Sequence, residues 1–81
     1  MIKWAYRTVH IPYSDEHKAW ALTYADREPL VGLEAILGAY GEGGWELVHL
    51  VPEHYRASPR FGGWQLEPEA YRATFRRAEE A

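Results

Sequence analysis

Four histidines, His10, His17, His49 and His54, are the residues whose type suits metal ligation, since imidazole is the commonest zinc ligand. Their spacing does not suit it. No two form an HxH or HxxxH pair, and Pro52 separates His49 from His54, so neither a metal nor a cofactor is expected. The chain has no cysteine, which removes thiolate ligands and a thiol nucleophile. Glu42, Glu46 and Glu53 cluster around a glycine-rich stretch, but acid–base work needs a buried carboxyl, and the pattern places Glu46 on a solvent or interface face. Ser14 and Ser58 stand in polar segments without a nucleophile-elbow context. Gly41-Glu42-Gly43-Gly44 lacks the Lys-Ser/Thr ending of a phosphate loop and follows a helix pattern, so it reads as a helix cap and turn. No catalytic residue is assigned, and the chain is read as a non-enzyme.

The chemistry that remains is binding. Arg72, Arg76 and Arg77, with Arg7 on a neighbouring strand, compose a basic surface flanked by Tyr71 and Phe75, as in sheets that stack single-stranded bases. The competing reading pairs these arginines with Glu46, Glu67 or Glu69 across strands. Arg60-Phe61-Gly62-Gly63-Trp64 mixes the residue types common at contact surfaces. Trp4, Tyr6, Trp20, Trp45 and His49 complete the set of interface or ligand candidates.

These residues must be held by elements that the periodicity suggests. Lys3 to Ile11 is aromatic and β-branched without helical spacing and predicts a strand. Trp4, Tyr6 and Thr8 share one of its faces, and that aromatic face is expected to meet the core. Residues 18–25 alternate Trp20, Leu22 and Tyr24 with small residues and fit an extra strand or a short helix, because Ala and Leu serve both. From Pro29 the apolar period lengthens: Leu30, Leu33, Leu37 and Tyr40 draw one stripe down a helix that Gly41 would cap. Gly32 and Gly38 weaken that helix, and close approach of its backbone to a sheet would explain them. Residues 45–51 read as a central strand stopped by Pro52, residues 52–69 as a long connection, residues 70–77 as a last strand and 78–81 as a frayed tail. The connection at 12–18 is shorter.

The expected fold is therefore α+β: one domain over 1–81, an antiparallel sheet packed on one helix in a two-layer βαββ core. The order Lys3 to Val9, Leu33-Glu34, Gly41-Glu42-Gly43-Gly44-Trp45-Glu46-Leu47-Val48 and Tyr71 to Arg77 resembles the small bacterial family catalogued as domain of unknown function 4177. The likeness falls in four separated blocks, and only Gly44 to Val48 is distinctive. Residues 13–28 and 53–68 run longer than that family's usual connections. The resemblance implies the same βαββ core and supplies no activity or catalytic residue.

Composition bounds the rest. Eighty-one residues with 15% aromatic content, four of them Trp, give a small core and a surplus of large rings. One helix cannot hide them all, which predicts a homo-oligomer, a dimer or tetramer, with an aromatic sheet face as the interface. Nine Lys and Arg against twelve Asp and Glu leave a net charge of −3, which disfavours duplex nucleic acid while leaving room for a single-strand or small-ligand surface. No apolar run approaches the ~20 residues of a membrane span. No basic, apolar leader precedes the first strand, so a cytoplasmic location is expected.

Overall fold

The computed structural model describes residues 1–80, apart from the side chain of Arg60. It is mainly β, 65% strand and 13% helix, and this overturns the two-layer βαββ expectation. Its elements are β1 (Ile2–Ser14), β2 (Ala19–Leu22), β3 (Leu30–Val31), α1 (Leu33–Glu42), β4 (Glu46–Arg60) and β5 (Gly63–Glu80). The five strands form one antiparallel sheet in the order β3-β2-β1-β5-β4. The strand at 45–51 is thus not central: β4 is an edge, and β1 and β5 run through the middle.

Each departure from expectation has a local cause. Pro52 does not stop β4, because an edge strand has one side without ladder bonds and tolerates a missing N–H there. Residues 52–69 are consequently no loop. They continue β4 and start β5 as a hairpin paired in register from Tyr55↔Pro68 to Arg60↔Gly63, closed by Phe61-Gly62. The tail is not frayed as far as Glu80, since Ile2↔Glu80, Lys3↔Glu79 and Trp4↔Ala78 pair with β1.

The helix begins three residues later than the apolar stripe suggests. Leu30 and Val31 pair with Leu22 and Ala21, and Gly32 then turns the chain into α1 at φ 95°, a conformation open to glycine and strained for other residues. The Gly32 N–H donates to the Trp20 carbonyl at 2.6 Å, which ties the start of the helix to β2. At the far end Gly41 lies within the helix and Gly43 is the cap, with its N–H donating to Tyr40 O at 3.0 Å. A Cβ on Gly38 would meet nothing within 4 Å, so close approach to the sheet does not explain that glycine.

Because α1 connects the β3 edge to the β4 edge, it must cross one face of the sheet. Ile36 at its centre is fully buried against Ile11, Ala73 and Phe75. Leu33, Leu37 and Tyr40 extend the contact, and Tyr40 stacks on Phe75 at 4.4 Å between ring centroids. The core is small: six residues are buried among those described, three of them alanines.

Which face the helix covers follows from alternation. Val9 and Ile11 of β1 with Tyr71, Ala73 and Phe75 of β5 point to α1, so Trp4, Tyr6, Thr8 and His10 point away from it. The aromatic face of β1 does not meet the core.

Candidate functional site

Two surfaces gather the residues singled out from the sequence. The first is the bare side of the sheet and the hairpin arm beyond it. Register sets Tyr6, Arg76 and Glu46 side by side across β1, β5 and β4, then Thr8, Thr74 and His49, then His10, Arg72 and Val51. Tyr6 is 63% exposed and Trp4 46%. Arg76 stacks on Trp4, its guanidinium carbon 4.3 Å from the ring centroid, and reaches Glu46 at 3.4 Å. That cross-strand ion pair is among those the competing reading offered for the arginines. His10 Nδ1 lies 3.8 Å from Glu53 Oε1, whereas His10 and His49 are kept apart by β5.

Beyond Ala70 the pairing of β5 with β1 ends and the β4–β5 hairpin continues alone. His54, at φ 54°, marks the base of this arm. Residues opposite one another share a side, so Tyr55 and Pro68, Ala57 and Leu66, and Pro59 and Trp64 form one apolar side of the arm. Arg56 and Glu67 lie on the other side, where with Tyr13, Trp20 and Tyr71 they line a mixed-charge groove of about 630 Å³. Trp64 is 76% exposed, Leu66 69% and Tyr55 57%, and Phe61 at the tip is fully exposed. Arg60 has its backbone in the arm, but its side chain lies outside the described residues.

The second surface lies on the helix side. Trp45 follows the turn at Gly43-Gly44, and the guanidinium carbons of Arg7 and Arg77 stand 4.9 and 4.4 Å from its ring centroid. Gly44 adopts φ 86°, and a Cβ there would touch Arg77 Cδ at 3.4 Å. Arg77 Nη1 donates to Gly43 O at 3.3 Å. In the loop between β2 and β3, Arg27 stacks on Tyr24 at 3.9 Å. Arg7, Arg27, Tyr24, Tyr40 and Trp45 surround a cleft of about 220 Å³.

The basic patch expected from Arg7, Arg72, Arg76 and Arg77 is therefore divided, with Arg72 and Arg76 on the bare side and Arg7 and Arg77 beside the helix. Phe75, offered as its aromatic flank, is buried. Trp20 is half-buried against the core, packed edge-on against Tyr71 at 4.8 Å and Tyr13 at 5.0 Å. Tyr24, read from its alternation as part of a strand or short helix at 18–25, lies beyond the end of β2, and Arg27 escaped notice because it sits in a loop with no periodicity to mark it. Among the described residues no group of three or more His, Cys, Asp or Glu converges to hold a metal ion, and no helix is long and apolar enough to cross a membrane.

No family model, no curated protein and no solved structure matches the chain. The family likeness of Gly44 to Val48 rests on those residues alone, and the βαββ order it implies is not the observed one.

Proposed function

We propose that this chain is a non-enzymatic, self-associating domain, and that the bare sheet face with the apolar side of the β4–β5 arm forms the interface between two copies. The observation that carries the reading is surplus surface. A compact monomer of 9.4 kDa exposes about 5,000 Å². This chain exposes 6017 Å². The surplus of about 1,000 Å² is close to the ~800 Å² that each partner contributes to a standard interface.

Shape supports the same reading. The radius of gyration is 15.5 Å, against about 12 Å for a compact domain of this length. The excess comes from the arm, which stretches the molecule to 56 Å by 27 Å by 17 Å. A two-stranded ribbon alone in water is marginal at best, and this one carries Tyr55, Trp64 and Leu66 uncovered. A second copy is the occupant that supplies an equal apolar side, and pairing two arms about a two-fold axis covers both at once. The small core points the same way, since short chains without disulfides commonly gain stability through association.

Light scattering on the eluting protein, run through a dilution series, tests this. A dimer or higher closed oligomer that dissociates only on dilution is the expected result. A monomer at every concentration up to high micromolar overturns the reading. If that monomer instead bound single-stranded nucleic acid with a steep salt dependence, the arginines of the bare face would become the functional residues.

A further inference from the structure

We propose that the cleft between Tyr24 and Trp45 binds a small organic anion, a carboxylate or phosphate borne on a single ring, held by the guanidinium groups of Arg7 and Arg27. The first argument is charge. The chain is net acidic, yet this cleft brings two arginines together with no Asp or Glu in its lining. Asp26 and Glu28 flank Arg27 in sequence, but neither Arg27 nor Arg7 has a carboxylate within 4 Å among the described residues. Arg76 and Arg77, by contrast, each reach a glutamate.

Geometry gives the second argument. The guanidinium carbon of Arg27 sits over Tyr24, 3.9 Å from the ring centroid, and that of Arg7 over Trp45 at 4.9 Å. A guanidinium held over a ring in this way is restrained by the contact and keeps N–H groups for a bidentate acceptor, at reduced further entropic cost. Arg77 serves as the buttress: it packs over the same Trp45 ring while its own donors go to Gly43 O and Glu79. Leu30 and Tyr40 supply an apolar floor.

Size gives the third. A cavity of about 150 Å³ accommodates benzene, and one water takes up about 30 Å³. The 220 Å³ here leaves room for one ring and an anionic head in place of about two waters. It is smaller than the ~300 Å³ at which sites for larger ligands begin, which favours a single-ring ligand.

The test is titration of the whole isotope-labelled chain with phenyl phosphate, benzoate, inorganic phosphate and benzyl alcohol, following the Trp45 indole N–H by NMR. Saturable binding of the two ring anions at low millimolar concentration is expected, tighter than either inorganic phosphate or the neutral alcohol. Arg7→Gln and Arg27→Gln should each weaken it by about ten- to a hundredfold, the loss of a charged hydrogen-bonded contact. Arg56→Gln, on the arm, should leave it unchanged. Should Arg27→Gln perturb the fold, Arg27→Lys keeps the charge, removes the fork and is expected to weaken binding as well. No saturable shift with either ring anion overturns the proposal, as does equal affinity for benzyl alcohol or an undiminished affinity in both Arg27 variants. The cleft is separate from the arm, so a failure here leaves the oligomer reading standing.

Discussion

Replacing Trp64 by threonine should dissolve the oligomer while leaving the protomer folded. Trp64 is 76% exposed, so of the ~250 Å² a tryptophan offers about 190 Å² is available to a partner. At about 25 cal/mol per Å² complete cover would contribute about 5 kcal/mol, and half cover about 2.4 kcal/mol. A two-fold interface counts the residue twice, giving about 5 kcal/mol per dimer, which weakens association by roughly several thousandfold. Threonine keeps the β preference of the site, and an exposed substitution costs the isolated protomer no more than about 0.5 kcal/mol. Sedimentation equilibrium on both proteins measures the shift, and far-UV circular dichroism checks the fold. An unchanged dissociation constant would refute the placement of the interface on the arm.

Several stability changes follow from the same geometry. Gly38→Ala should raise stability by about 0.5–1 kcal/mol, because the added methyl meets nothing within 4 Å and the helix gains propensity; melting should rise by several degrees. Gly32→Ala should lower stability by about 1–3 kcal/mol, although its surroundings are equally open, because alanine is strained at φ 95°. Phe75→Ala should cost about 3–5 kcal/mol in urea unfolding, a large share of the total for a chain this short. Glu46→Gln should change stability by less than about 1 kcal/mol, since its pair with Arg76 is exposed.

The sequence made the strand content legible wherever one side of a strand is buried: Tyr71, Ala73 and Phe75 alternate with Arg72, Thr74 and Arg76 as periodicity suggests. It did not reveal which side of β1 is buried. Trp4 and Tyr6 are more apolar than Ala5 and Arg7, and hydrophobicity alone turns them inward. The helix decides otherwise, because it is anchored to β2 through Gly32 and must cross on the side of Ile11. Residues 53–68 misled for a different reason. Pro59, Gly62, Gly63 and Pro68 read as loop formers, yet in a two-stranded arm every strand is an edge and proline is tolerated. The Arg7–Arg27 cleft was invisible because its parts come from β1, the β2–β3 loop and the end of α1, and only tertiary packing brings them together.

The two proposed surfaces lie on separate elements of the fold, and this separation is itself testable. The arm carries Trp64 and Leu66 beyond the end of β1, while the cleft is built on Arg7, Trp45 and the loop at Tyr24. Substitutions at sites that share no partners usually add in free energy. Trp64→Thr should therefore leave the phenyl phosphate affinity unaltered, and Arg27→Gln should leave the sedimentation behaviour unaltered. A double variant should show both losses at their single-variant sizes. If Trp64→Thr also weakened the anion site, the cleft would be completed by the partner copy, and dimerisation would be a condition of ligand binding.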